Sequence, residues 1–201
     1  MDKNLSKYYK NYYSQFGEDG IVEEVLRRIA LQNNLDKWCV EFGAWDGVYL
    51  SNTCHLIRDR GYSAVLIEGD KTKVAQLNLN LPQDNVHKIC RFINFEGDST
   101  LDNVLSETPL PKDFDFLSID IDGVDYYILE SLQNYHPKII CIEFNPTIPN
   151  AVEFVQPKDF SIKQGSSAKA IINLSNNKGY KLVAVTACNL ILVKDEYIHS
   201  S

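Results

Sequence analysis

Short runs of apolar residues alternate along this chain with segments in which apolar positions recur every three or four residues. The runs are Trp38–Phe42, Ala64–Ile67, His87–Ile93, Phe114–Ile119 and Ile139–Ile142, each of strand length. The intervening patterns, Asn52–Arg60, Thr72–Leu79, Leu101–Leu105 and Tyr126–Leu132, together with Ile21, Val25, Leu26 and Ile29 ahead of the first run, have helical spacing. Alternation of this kind predicts βαβ units around a parallel sheet. The second and fifth runs are apolar almost throughout, as strands buried on both faces are, whereas His87–Ile93 is mixed and suits a place near the sheet edge.

The last third breaks the rhythm. Residues 145–167 carry Pro146, Pro149 and Pro157 and no periodicity, which predicts a long functional loop. A helix over Ala168–Asn176 follows, with Lys178-Gly179 placed for a left-handed cap. Tyr180–Val185 and Leu190–Val193 are too close in sequence for a parallel crossover, so they must pair antiparallel. The expected architecture is one α/β domain over 1–201 with a helical N-terminal segment, 1–35. Five parallel strands are followed by a C-terminal antiparallel hairpin, seven strands in all, with helices on both faces.

Composition narrows the function classes. The 201 residues are 44% hydrophobic and 23% charged, ordinary values for a globular chain. Twenty basic against 27 acidic residues give a net charge of −7 with no basic patch, which disfavours a nucleic-acid partner. No apolar run has the length of a membrane span, and Met1–Tyr13 is too polar for a secretory signal, so a cytoplasmic location is expected. The five cysteines are scattered, have no Cys-x-x-Cys pair and sit mostly among apolar neighbours, which reads as reduced core thiols.

The candidate chemistry lies at the ends of the runs. The first closes in Glu41-Phe42-Gly43-Ala44-Trp45-Asp46-Gly47. Gly43 would let backbone approach a ligand and Gly47 would let the next helix pack closely, with Glu41 at the strand's carboxyl end, where open α/β sheets bind ligands. A tight turn without a ligand would use the same glycines. Ile67-Glu68-Gly69-Asp70 follows about twenty residues on, the place of an acid that accepts ribose hydroxyls. Trp45 and Asp46 stand where a pyrophosphate needs bare backbone. An acidic turn favours S-adenosylmethionine (SAM), with its sulfonium and ammonium, over NAD.

These features resemble class I SAM-dependent methyltransferases, and more closely the FkbM-like group. Four segments carry the resemblance. Ser99-Thr100-Leu101-Asp102-Asn103-Val104-Leu105 is similar to the group's Thr-Leu-Asp-Asp-Leu-Leu stretch, and Leu117–Asp125 to its Lys-Ile-Asp-Val-Glu-Gly-x-Glu block. Ile142-Glu143-Phe144 is similar to its fifth-strand ending, and Ser14–Gly20 to a Ser-Gln-x-x-x-Asp opening of related polysaccharide-cluster methyltransferases. Ser118 replaces the family's lysine and Asp122 its glutamate. The resemblance implies a Rossmann-like fold, SAM as cofactor, and a sugar or sugar-nucleotide hydroxyl of surface-polysaccharide biosynthesis as the small-molecule acceptor, bound under 145–167.

A hydroxyl acceptor needs a general base or a metal. Asp120, Asp122 and Glu143 are the catalytic candidates. One option is that Asp120, Glu143 and Asn145 hold Mg²⁺ or Mn²⁺; the other is that one acid is the base without a metal. A helix-capping Asp120 is the plainer alternative. Expected cofactor contacts are Gln15, Glu41, Gly43, Trp45, Asp46, Gly47, Ser51, Asn52, Glu68 and Asp120. Gln15 also fits a helix start, and Ser51 and Asn52 fit an N-cap. His55 reads as a packing or surface residue before it reads as a base, and His87, His136 and His199 receive no role. The aromatic group Tyr8, Tyr9, Tyr12, Tyr13 and Phe16 would cover the acceptor cleft or pack a partner chain, as in a homo-oligomer. A non-catalytic module with a methyltransferase-like fold, holding a nucleotide or a partner, and an NAD-linked oxidoreductase are the competing classes.

Overall fold

A computed structural model describes residues 4–198; His199 lies outside them. Seven strands form one sheet: β1 (Trp38–Phe42), β2 (Ser63–Glu68), β3 (Val86–Cys90), β4 (Phe116–Ile119), β5 (Ile139–Glu143), β6 (Tyr180–Val185) and β7 (Asn189–Lys194). Their order is β3-β2-β1-β4-β5-β7-β6, parallel from β3 to β5, with β7 antiparallel to both β5 and β6. The strand order reverses between β1 and β4, which run parallel, so the carboxyl ends of β1, β2, β4 and β5 open onto a crevice of the type that binds ligands.

Alternate side chains of each strand enter two cores. One face places Val40, Val65, Leu117, Ile140 and Leu192 against α4 (Leu101–Ser106), α5 (Asp125–Ser131) and α6 (Ala168–Asn177). The other places Cys39, Ala64, Phe116, Cys141 and Ile191 against α1 (Glu18–Ile29), α2 (Cys54–Arg60) and α3 (Lys71–Asn80). A last helical turn, α7, covers Asp195–Ile198. The expected layers, the edge position of β3 and the terminal hairpin are all present. Cys39, Cys54 and Cys141 are buried free thiols, as expected; Cys90 is exposed. Among the described residues no helix is long and apolar enough to cross a membrane.

Boundaries move where side chains take over from the ladder. The third strand stops at Cys90, because past Arg91, whose N–H donates to Glu68 O at 3.0 Å, the chain turns and leaves Phe92 exposed. The fourth strand begins at Phe116. Ahead of it Asp115 is fully buried and spends its carboxylate on the N–H groups of Asp36 (3.2 Å) and Lys37 (2.8 Å).

Buried Lys138 completes that anchor, donating to Asp115 Oδ1 and Asp36 Oδ2 (both 2.8 Å) and to Asp113 O (2.7 Å). The ammonium thus ties the amino ends of β1, β4 and β5. Its removal strands a fully buried carboxylate, so Lys138→Met should lower the unfolding free energy by about 3–5 kcal/mol, read from urea midpoints.

Candidate active site

Two adjoining hollows lie along the sheet's carboxyl edge. The larger, about 620 Å³, runs from Glu68 and Trp45 across Gly43 to Asp120 and Asp122, with Phe92 and Phe160 on its outer walls. The smaller, about 150 Å³, is bounded by Glu143, Phe144 and Asn145 and by 163–165. Asp122 and Lys163 line both.

The floor is set by the approach of β1 to β4. Gly43 has φ +84°, and a Cβ there would lie 1.9 Å from Asp120 O. Its N–H donates to Ile67 O (3.1 Å), while Asp120 N–H donates to Phe42 O (3.1 Å). At the far end of the larger cleft, Glu68 accepts the Trp45 N–H (3.0 Å) on one oxygen and the Asp70 N–H (2.8 Å) on the other. Each oxygen keeps a further lone pair for a ligand hydroxyl. Trp45 stands half exposed at the cleft with Lys73 Nζ 3.8 Å from its ring centre.

Other expected cofactor residues face elsewhere. Glu41 is buried and accepts Ser51 Oγ–H (2.6 Å), Thr53 Oγ1–H (2.7 Å) and Asn52 N–H (2.8 Å). Ser51 Oγ in turn accepts the Cys54 N–H (3.0 Å), and Asn52 Nδ2 donates to Ser118 Oγ (3.0 Å). These groups satisfy one another beneath the floor and none borders the cleft. Burial pushes the Glu41 carboxyl up to about 7 against its hydroxyl and N–H donors. Asp46 accepts the Val48 and Tyr49 N–H groups, a local turn, and Gly47 packs on Leu77 and Leu81 of the α3 region. Gln15 is exposed, and its carbonyl accepts Asn11 Nδ2–H (2.8 Å) away from both hollows. The opening motif is instead a structural knot: Asp19 Oδ2 accepts three N–H groups, of Tyr12, Tyr13 and Ser14, each at 2.8 Å. Tyr12 stacks on His55 at 3.9 Å, so this aromatic residue covers α2 and His55 is a packing residue.

The catalytic candidates converge. One carboxylate oxygen from each of Asp120, Asp122 and Glu143 falls within a mutual 4.8 Å. Strand geometry alone does not produce this, because β4 ends at Ile119 and Asp122 has φ +56°. The turn is braced by Asp125, a residue not singled out from sequence, which is buried and accepts the N–H groups of Ile121 (3.0 Å) and Gly123 (2.9 Å). Asp125, rather than Asp120, therefore fixes the start of α5. Asn145 stays out of the group: its Oδ1 accepts Thr147 N–H (2.9 Å) and its Nδ2 donates to Gln164 O (2.7 Å). Phe92, Arg91, Phe160 and Lys163 complete the lining. Only the long loop and the mixed third strand hinted at them.

Burial, with the Asp122 and Glu18 charges behind it, pushes Asp120 up to about 6. Burial and the Asp120, Asp125 and Asp122 charges push Glu143 up to about 8. Asp125 rises to about 7, chiefly by burial.

With the geometry in place, comparison with known proteins identifies the class of fold. The chain superposes on a "putative RNA methyltransferase" from Pyrococcus horikoshii with TM-score 0.51 and 16% identity, covering 94% of each chain. It superposes on the METTL16 MTase domain with TM-score 0.52 and 11% identity, covering 88% of this chain and 66% of that one. A match to a "putative sarcosine dimethylglycine methyltransferase" from Galdieria sulphuraria (14% identity, TM-score 0.49) covers 81% of this chain and 62% of that longer chain. The fold is the Rossmann-like one of class I methyltransferases. The family model described as the methyltransferase FkbM domain matches residues 98–182, the stretch that holds Asp120, Asp122, Glu143 and the long loop. No curated protein matches the chain.

Linkage gives a direct test of the strand-end carboxyls. Native Glu143 keeps its proton to about pH 8, whereas its ordinary value is 4.5. Through that window the native state binds more protons than the unfolded one, so stability falls as pH rises. Glu143→Gln should flatten this decline and make the variant more stable than wild type at about pH 9, as measured by denaturant midpoints at about pH 5, 7 and 9.

Proposed function

We propose that the protein is a SAM-dependent O-methyltransferase acting on a sugar or sugar-nucleotide hydroxyl in surface-polysaccharide biosynthesis, in the cytoplasm. The observation that carries this reading is the juxtaposition of two hollows, one lined by Glu68 and Asp120 and one walled by Glu143, which share Asp122 and Lys163. The FkbM match over 98–182 favours a methyltransferase, the sugar acceptor follows from the sequence resemblance, and the net charge of −7 disfavours a nucleic-acid acceptor.

The residues have separable tasks. Glu68 takes the ribose hydroxyls on its two free lone-pair positions, and the Gly43 backbone lets the cofactor lie against the strand ends. SAM, when bound, supplies a methyl group made electrophilic by its sulfonium. Holding the acceptor oxygen in line with that methyl accounts for most of the acceleration. Near pH 7 Asp120 is ionised and Glu143 carries its proton. Asp120 then receives the hydroxyl proton while Glu143 donates a hydrogen bond that orients the sugar. The three converging carboxylates also suit Mg²⁺ or Mn²⁺, whose preference is for oxygen ligands. Such an ion would be held by Asp120, Asp122 and Glu143 without Asn145, and would lower the pKa of a bound hydroxyl.

Calorimetric titration with S-adenosylhomocysteine should show micromolar binding, with none for NAD; absence of binding would overturn the enzymatic reading. Glu68→Ala should weaken that binding by about 1–3 kcal/mol through lost charge-assisted hydrogen bonds.

Metal-free turnover should follow a bell with limbs near pH 6 and 8, which belong to the coupled Asp120–Glu143 pair. Asp120→Asn should suppress turnover while leaving the cofactor bound. Loss of turnover in a chelator, restored by Mg²⁺ or Mn²⁺, would select the metal reading over the unaided base.

A further inference from the structure

The 145–167 loop has no strand or helix of its own, yet it presents Phe160 and Lys163 to the cleft. Asn145 ties its two ends, through Gln164 O (2.7 Å) and Ser166 O (2.9 Å), and one buried side chain gathers its far half. Gln156 is fully buried, and its Oε1 accepts the N–H groups of Gln164 (3.1 Å) and Gly165 (2.8 Å). Its Nε2 donates to Ile162 O (2.9 Å) and Asp159 O (3.4 Å), and its own carbonyl accepts Tyr127 Oη–H from α5 (2.8 Å). Every hydrogen-bonding position of the amide is thus spent on the far half of the loop, the half that carries Phe160 and Lys163. The amide also lies directly on the carboxylate turn. A Cβ on Gly123 would come within 2.7 Å of Ile162 O and 3.2 Å of Gln156 Nε2. At the loop's outer edge Phe160 stacks on Phe95 at 4.5 Å, nearly parallel, while Lys163 reaches to 3.9 Å from Asp122.

A glutamine with no exposure and a full set of internal bonds exceeds what a surface loop needs merely to stay folded. We propose that Gln156 is a positioning residue for the active site. It locks the loop onto the Asp122–Gly123 turn and so sets Phe160 and Lys163 as the wall of the cleft opposite Gly43. This rests on the reading of the cleft as the cofactor and acceptor site; Gln156 acts through the two wall residues and touches no reacting atom.

The test uses the full chain with Gln156→Leu, which keeps the volume and loses every side-chain bond, and Gln156→Glu, which keeps the acceptors for Gln164 and Gly165. The probe is S-adenosylhomocysteine, with amide hydrogen exchange alongside. Gln156→Leu should weaken binding by about three- to tenfold and should abolish protection at the Gln164 and Gly165 amides; Gln156→Glu should restore that protection and part of the affinity. In a Phe160→Ala/Lys163→Ala background, adding Gln156→Leu should change affinity by less than about twofold, since residues acting through one another are not additive. An equal loss in both backgrounds, or amides that stay protected in Gln156→Leu, would overturn the proposal. If wild type does not bind the probe, the methyltransferase reading fails. Exchange then still decides whether Gln156 holds the loop, and unprotected wild-type amides would sink that claim too.

Discussion

Four carboxyl groups, those of Glu41, Asp120, Asp125 and Glu143, are withdrawn from water within a few residues of the sheet's carboxyl edge, and burial raises the pKa of each. Placing so much suppressed charge in one region is unfavourable unless each group finds donors or keeps its proton. Two of the four are answered from within. Glu41 receives two hydroxyls and a backbone N–H, and Asp125 receives two backbone N–H groups. Those two shape the turns after β1 and β4. Among the described residues Asp120 and Glu143 have fewer donors, Glu143 only the Asp122 N–H, and both line the hollows, where their raised pKa values let them keep a proton. The division between acids that build the edge and acids left to act at it organises the whole site.

The strands and their layers are legible in the sequence because burial on both faces leaves nearly unbroken apolar runs. Ile139–Ile142 has no polar residue to obscure it, and all of it is buried. The hairpin is equally legible, since a link of four residues excludes a crossover. What the pattern misses is local competition from side chains. Asp115 looks like part of a strand, but it is committed to the backbone before β1 and to Lys138. The partners that define its role are distant in sequence, and no periodicity marks them.

The site is legible in a different way. Strand-end position identifies Glu68, Asp120 and Glu143 as neighbours of one crevice, because sheet order brings those ends together. The same reasoning puts Glu41, Ser51 and Asn52 at the ligand, and there it reaches its limit. A residue at a strand end points either into the crevice or back beneath it, and the choice depends on which donors the following turn supplies. Ser51-Asn52-Thr53 supplies three, which draws Glu41 inward. Asp122 shows the converse. It lies beyond the end of β4 and converges with Asp120 through its own left-handed backbone, in a turn braced by Asp125.

The outer wall lies furthest from what periodicity reports. A loop contributes no repeating pattern, so its length and prolines reveal that it exists and not what it presents. Its conformation depends on bonds between residues six to nine positions apart, converging on Gln156, and on one aromatic stack with Phe95. The sheet edge, held by seven paired strands, fixes the carboxylates, while the loop has no ladder of its own. It needs only a residue that sets its height above the Asp122–Gly123 turn. The carboxylates are thus set by the sheet, and the wall facing them by a loop whose far half is gathered on one buried amide.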